Sequence, residues 1–248
     1  MTDQTWAIVQ ARMRSTRLPG KVLKPLAGIP VLVHVIKRSL AIEGVSRVVV
    51  ATTRRRSDNP IAELVDAWFD GDVRLHRGAE NDVLGRFVEA LGDEPPEYFF
   101  RITADSPLLS FEHAIAMRNA VIREDADGGD AHRHETGLTL GLGSEIYRTA
   151  ALFRAEQEAR EPRDREHVTT WIKRNSAFRI LYPEPLPELV SDFRLTLDVP
   201  EDYEVLRELY RDLYDPEELI GSAVAIRWME RHPDVARINR ECEQEIVA

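Results

Sequence analysis

The chain has a single cysteine, Cys242, in 248 residues, so no intrachain disulfide can form and a thiol-metal site is unsupported. That usage fits a reducing compartment, and a cytoplasmic location is expected. No apolar run approaches the roughly 18 residues of a membrane span, and the N-terminus carries Asp3 in place of a basic region leading into an apolar stretch, so neither a span nor a secretory signal is expected. Positive charge is in deficit. Against 43 Asp and Glu stand 33 Lys and Arg, a formal net charge of −10. This argues against nucleic acid or an anionic membrane as partner, since both need a broad basic face. The usual glycine signatures for phosphate are missing too. Gly20-Lys21 lacks the upstream glycine and following hydroxyl of a Walker loop, no G-x-G-x-x-G follows the first apolar run, and Gly141-Leu142-Gly143 is too short a match. Kinase, ATPase and dehydrogenase readings lose their ordinary support.

One further absence is local. From Gln4 to Ile42 there is no Asp or Glu, although 43 acids in 248 residues predict about seven in those 39 positions, and the same window holds seven Lys and Arg. Four of these bases fall in Ala11-Arg12-Met13-Arg14-Ser15-Thr16-Arg17-Leu18-Pro19-Gly20-Lys21, directly after the apolar run Trp6-Ala7-Ile8-Val9-Gln10. Arg supplies planar forks of N–H donors and Lys a compact charge, both matched to phosphoryl oxygens. A basic loop at the end of an opening strand, in an acidic chain, is suited to a small polyanion. Ser15 and Thr16 serve equally well as hydroxyls that stabilise the turn.

Apolar runs rich in β-branched and aromatic residues predict strands at 6–10, 47–52, 73–76, 98–103, 178–182 and 193–197. Helical periodicity lies between most of them. Pro30 opens a helix with Leu32, Val35, Ile36 and Leu40 on one face, and Asp58-Asn59-Pro60 opens another with Ile61, Leu64, Val65 and Trp68. Further helices are predicted over 82–91, 111–124, 149–160, 165–174, 200–213 and 216–231. Strands alternating with helices imply an α/β chain with a mainly parallel sheet covered on both faces. One domain is expected, with a nucleotide-binding part over about 1–110, an acceptor-side part over about 111–200 and C-terminal helices over about 200–248. Pro183, Pro185 and Pro187 mark a stiff exposed connection, and glycine-rich Asp125 to Gly143 reads as a mobile polar loop. His132, His134 and Glu135 fall in that loop without a fourth ligand, so no zinc site is expected. The apolar positions Leu206, Leu209, Leu213, Ile226 and Met229 suit the core or a subunit contact, which leaves a homodimer open.

In open α/β sheets ligands bind beyond the carboxyl ends of the strands. The segments to interrogate are the basic loop, Arg77 to Arg86, Ala104-Asp105-Ser106-Pro107-Leu108, and Asp198-Val199-Pro200-Glu201-Asp202. Asp105 and Asp198, each at the end of a separate predicted strand, suit a shared hard cation, with Mg²⁺ the natural choice because it takes one or two carboxylates and fills its octahedron with water and phosphate oxygens. Each aspartate is equally a candidate helix N-cap, since a helix follows both.

Taken together, five segments carry a family resemblance: Val9 to Lys21, Arg77-Gly78 with Asp82-Val83-Leu84-Gly85-Arg86, Arg101 to Leu108, Asp164-Arg165-Glu166-His167-Val168-Thr169, and Leu197 to Asp202. Their order over about residues 6–207 resembles the cytidylyltransferases that make CMP-activated acidic sugars, CMP-Kdo synthetases and acylneuraminate cytidylyltransferases among them, and above all the spore-coat-polysaccharide branch. The resemblance implies a nucleotide-diphospho-sugar transferase fold, Rossmann-like and of GT-A type. It also implies CTP as donor, a small acidic sugar as acceptor, and Mg²⁺ on Asp105 and Asp198. By the same matching Arg12 and Lys21 grip the triphosphate, the backbone around Ala11 and Ser15 lines it with Arg17 beside, and Asp82 and Thr103 lie near cytosine and ribose. Glu145, Arg165 and His167 are candidates for the acceptor pocket. Arg12, Lys21 and Asp105 would carry the chemistry.

Two positions depart from the family pattern. Arg14 stands where glycine is usual, adding bulk and charge beside the nucleotide, and Gly143 stands where an aspartate is common in the acceptor-side segment. The expected reaction is transfer of CMP from CTP to the acceptor with release of pyrophosphate. A nucleotide-sugar-dependent glycosyltransferase of the same fold is the enzymatic rival, separated by its lack of pyrophosphate release. A non-catalytic nucleotide-binding protein of a polysaccharide pathway is the other rival, and binding of CTP without turnover would mark it.

Overall fold

The computed structural model describes residues 4–131 and 136–243. Its centre is a seven-stranded sheet. In chain order the strands are β1 (Thr5–Gln10), β4 (Val45–Thr53), β5 (Val73–Gly78), β6 (Tyr98–Thr103), β7 (Gly128–Asp130), β8 (Glu145–Arg148) and β9 (Ile180–Leu181), while β2 (Pro25–Leu26) and β3 (Ile29–Pro30) form a separate small hairpin. The spatial order is β5-β4-β1-β6-β8-β7-β9. Only β8 runs against the others, pairing antiparallel with β6 and β7. Strand β1 is parallel to both of its neighbours, with Val9 opposite Val50 on one side and Ile102 on the other. The near-continuous apolar character of β1 follows from its burial on both faces, as parallel strands require.

Helices α1 (Val31–Leu40), α2 (Asn59–Phe69), α4 (Phe111–Arg123), α8 (Pro200–Leu213) and α9 (Ser222–Arg231) cover one face, where Ala7, Val9, Val48 and Val50 meet Val35, Ile61, Met117, Leu206 and Ile226. On the other face α3 (Val83–Leu91), α5 (Thr149–Glu158), α6 (Pro162–His167) and α7 (Thr170–Arg174) accompany Trp6, Ile8, Val49 and Phe99, packed with Phe87, Leu152 and Ile172. A final short helix, α10, spans Pro233–Ala236. Leu206, Leu209, Ile226 and Met229 are buried and Leu213 packs on the same core, so these apolar positions serve the interior. None of the helices among the described residues is long and apolar enough to cross a membrane.

Four expectations need correction. Residues 193–197 do not join the sheet: Leu195 N–H donates to Leu140 O at 2.8 Å and Leu197 N–H to Asp105 O at 2.8 Å, so this extended segment fastens the end of β6 to the loop before β8. The helix predicted over 165–174 is broken at Val168, whose φ of 61° and the Thr169 N–H to His167 O bond of 2.6 Å make a tight γ-turn between α6 and α7. The helix predicted from 216 begins only at Ser222. Asp125 to Gly143 is not simply a polar loop, because Gly128 to Asp130 form the buried strand β7. Here the glycines give close packing: a Cβ on Gly128 would lie 2.4 Å from Tyr147 Cδ1, and one on Gly129 2.9 Å from Val121 Cγ2. His132, His134 and Glu135 lie outside the described residues.

Strands β5, β4, β1 and β6 end at the same edge, and the chain leaves β1 for α1 and β4 on one side while β6 lies on the other. Such a switch in connection opens a crevice at the carboxyl end of the sheet. The basic loop and Asp105 flank it.

Candidate active site

The basic loop is closed on itself before it meets anything else. Gly20, at φ 69°, donates its N–H to Met13 O at 2.9 Å, Lys21 N–H donates to Leu18 O at 3.2 Å, and Ser15 Oγ accepts from Leu18 N–H at 3.3 Å. Ser15 thus acts as a turn-stabilising hydroxyl. Ala11 is buried, its N–H bound to Ala51 O at 3.2 Å. The loop is pinned from below by Asp58, a buried carboxylate whose Oδ1 accepts Met13 N–H at 2.8 Å while Oδ2 takes the Thr53 hydroxyl. The helix opening Asp58-Asn59-Pro60 gave no hint of this role, because the local signal of a helix start looks the same whether or not the carboxylate reaches a distant loop.

Lys21 opens a 3₁₀ turn, Lys21–Leu23, and points across the crevice. Its Nζ lies 2.6 Å from Asp105 Oδ2 and 2.8 Å from Asp198 Oδ1. Burial opposes the ammonium charge, yet the two carboxylates outweigh it and hold the Lys21 pKa above its ordinary value. Asp105 shows the converse: burial favours its neutral form, but Lys21 keeps its pKa below the ordinary value. Arg17 Nη2 stands 3.6 Å from Asp198 Oδ1, and Arg194 Nη2 3.4 Å from Asp198 Oδ2.

Neither aspartate caps a helix. Ser110 caps α4 by accepting His113 N–H at 3.1 Å, and at α8 the backbone N–H groups of Asp198 and Val199 donate to Asp202 Oδ2 at 2.8 and 3.1 Å. Asp202 is fully buried and also binds Arg194 and the Asn239 amide. Two carboxylates that converge on one cationic point without capping duties have the chemistry of a shared hard-cation site. With two acidic oxygens on offer, the donor set fits Mg²⁺, which leaves most of its octahedron to water and phosphate, and not a closed all-protein cage. Among the described residues no third His, Cys, Asp or Glu joins them.

A second group of charges lies on the α3 and α6 side. Asp82 caps α3, accepting Gly85 N–H at 3.0 Å, and also binds the Arg165 guanidinium, which reaches Glu156 as well. Those partners raise the Arg165 pKa, and the same contact overcomes burial to lower that of Asp82. Thr103, ending β6, has its hydroxyl 3.3 Å from Ser106 Oγ. Arg12 is exposed, and its charge helps push down the pKa values of both Arg86 and His167 after burial has done so. His167 is depressed also by Arg101 and Arg163, against the pull of Glu166. Arg12 is thus among the charges that act on His167.

Glu145 is placed differently from an acceptor-facing group. It is 1% exposed and accepts from Lys173 Nζ at 3.0 Å, Thr169 Oγ1 at 2.8 Å and Arg101 Nη1 at 3.2 Å. It ties Arg101, Thr169 and Lys173 together. Arg14 is 67% exposed and pairs with Glu80 at 3.3 Å, in the segment after β5. Gly143 is half-buried just before β8. Sequence reasoning missed Asp58, Arg101, Asp202 and Arg194. Arg101 and Asp202 had a signal, both lying in segments that carry the family resemblance, and Asp202 also as an acid in the first turn of a helix opened by Pro200.

The comparisons with known proteins fit this geometry. Residues 6–220 match the cytidylyltransferase family. The chain is 32% identical over 237 residues to the spore coat polysaccharide biosynthesis protein SpsF of Bacillus subtilis, covering 92% of this chain and 95% of that protein. Among solved structures, a cytidylyltransferase from Leptospira borgpetersenii superposes with a TM-score of 0.84 at 25% identity, covering 98% of each chain. A CMP:2-keto-3-deoxy-manno-octonic acid synthetase complexed with CTP shares the fold at a TM-score of 0.62 and 19% identity, covering 84% of this chain and 98% of that one. A crevice at the carboxyl edge of a mainly parallel sheet, a basic loop after β1 and a match over most of the length lead to one assignment: the chain belongs to the cytidylyltransferase family and is a nucleotidyltransferase.

Proposed function

We propose that the chain transfers CMP from CTP to a hydroxyl of a small acidic sugar, releasing pyrophosphate, in the synthesis of a surface polysaccharide. The observation that carries this reading is the meeting of Lys21, Asp105 and Asp198 at the crevice between β1 and β6. The polysaccharide setting rests on the likeness to the spore coat protein, and CTP on the family and on the relative bound to CTP. A sugar acid as acceptor is supported by that relative's name and by the guanidinium charges of Arg12, Arg101 and Arg163, all of which act on His167 and suit a second anion.

In the reaction the acceptor oxygen bonds to the α-phosphorus as the bond to the bridging oxygen breaks, the hydroxyl proton passes to solvent, and pyrophosphate leaves. Arg12, Arg17 and Lys21 would hold the triphosphate, with Lys21 neutralising charge that builds on the leaving group. The closed loop from Ala11 to Gly20 would fix the phosphates in line, so that most of the rate comes from positioning and electrostatics. Asp105 and Asp198 would hold Mg²⁺, which when bound supplies Lewis-acid polarisation of the phosphate oxygens. Arg165, fixed by Asp82 and Glu156, would set the wall on the α3 side, and Thr103 would meet the nucleoside.

The test is a screen of CTP, ATP, GTP and UTP with Mg²⁺ against a panel of sugar acids, 3-deoxy-manno-octulosonate among them, with pyrophosphate detection. Release that requires both CTP and one sugar acid is the expected result. A thermal melt should rise with CTP and Mg²⁺, since a ligand at one hundred times its Kd adds about 2.7 kcal/mol to stability. An equal rise with ATP, or turnover on neutral sugars alone, overturns the assignment.

A further inference from the structure

Lys21 Nζ stands at the point that a cation shared by Asp105 and Asp198 would take. It lies 2.6 Å from one carboxylate oxygen and 2.8 Å from the other, and its side chain is 13% exposed. The two aspartates come from separate segments, fastened to each other by the Leu197 N–H bond to Asp105 O. Held this close, they need positive charge between them. Asp198 in fact faces three cations, since Arg17 and Arg194 approach it as well. A divalent ion bonding the same two oxygens at about 2.0–2.1 Å would fill the place of the ammonium. Two like charges cannot share that point.

We propose that Lys21 is the resident counter-ion of the two aspartates and is exchanged for the divalent cation when nucleotide arrives, moving from the carboxylates to the phosphates. This rests on the reading of Asp105 and Asp198 as the cation's ligands. Metal alone must displace the ammonium without supplying an anion to receive it, so the free chain binds it weakly. Nucleotide alone must draw Lys21 away from two carboxylates that are left facing each other. Metal and nucleotide together satisfy every charge: the metal replaces Lys21 on the aspartates, and the triphosphate receives Lys21. Each ligand therefore tightens the other, by the same factor in both directions. Lys21 thus guards the site against cations that arrive without substrate.

The experiment is Mn²⁺ binding to nucleotide-free protein, read from the electron paramagnetic resonance signal of free Mn²⁺, for the wild type and Lys21→Met. Methionine keeps an unbranched stem and removes the charge. Lys21→Met is expected to bind Mn²⁺ at least tenfold more tightly than the wild type, and the added substitution Asp105→Asn should abolish the gain. Lys21→Gln provides a second neutral variant should Lys21→Met not fold. As an independent readout, the melting temperature of either variant should rise more with Mn²⁺ alone than that of the wild type. Equal Mn²⁺ affinity in the wild type and the neutral variants would show that ammonium and metal occupy different places, and overturns the proposal. Absence of Mn²⁺ binding in all of them overturns it as well. Because no CTP or acceptor is present, these results are separate from the turnover screen, which can succeed while the exchange fails.

Discussion

Asp202 Oδ2 accepts the backbone N–H of Asp198 at 2.8 Å, so one aspartate does the capping and leaves the other free to face the crevice. This division of labour separates two kinds of variant. Asp202→Ala removes a fully buried partner of Arg194 and should cost about 3–5 kcal/mol in stability, as breaking a buried ion pair does. Asp105→Asn and Asp198→Asn keep the shape of the side chain and should each cost less stability than Asp202→Ala while removing most turnover. Near-normal turnover at low Mg²⁺ in either amide variant would show that aspartate to be structural.

Lys21→Ala should lower kcat by about 10²-fold or more, the range seen when one preorganised charge stabiliser is lost, with a smaller change in CTP affinity. Lys21→Arg should recover only part of the rate, because a planar fork does not replace a compact ammonium at the leaving group. Single-turnover rates and CTP dissociation constants for both variants check this. Unchanged kcat with weakened binding would assign Lys21 to ground-state capture.

Gly141 has φ 97°, and a Cβ there would lie 2.4 Å from the backbone atoms Leu195 C and Thr196 N. Gly141→Ala should therefore destabilise by more than the roughly 1–2 kcal/mol of the left-handed backbone alone, since the neighbour that must yield is main chain. The displaced segment carries Asp198, so turnover should fall as well. Denaturant melts and initial rates on the same preparation test the link; a stable variant with full activity would break it.

His34 is buried, its ring Nε2 3.0 Å from Leu26 O, and burial pushes its pKa down to about 4. The unfolded chain binds this proton nearer pH 6.5, so the unfolded state holds more protons between the two values and stability falls as pH drops through that window. The loss should approach 3 kcal/mol, about 1.4 for each pH unit crossed. His34→Gln, whose amide can still donate to Leu26 O, should show a smaller loss between pH 7 and pH 4.5 in urea melts. Parallel curves for the two proteins would rule out His34 as the source.

Sequence alone determined the alternation of strand and helix, since the apolar periods of β1, β4, β6, α1 and α2 are local properties of the chain. It also located the basic loop and Asp105, because charge composition and position after a strand are legible along the chain. The family followed from the order of five such segments. What only the tertiary structure decided depends on partners far apart in sequence. Lys21 meets aspartates 84 and 177 positions away, and no local pattern says that they share one ammonium. Sequence marked Asp198 as a candidate cap, and only the structure shows that Asp202 takes that duty. Equally closed to sequence was the fate of 193–197, a strand-like run that found Leu140 and Asp105 as partners in place of a sheet neighbour. Gly128 and Gly129 read as loop residues because their lack of side chains is the same in either setting, and only the packing of Tyr147, Val121 and Met117 against them makes them strand.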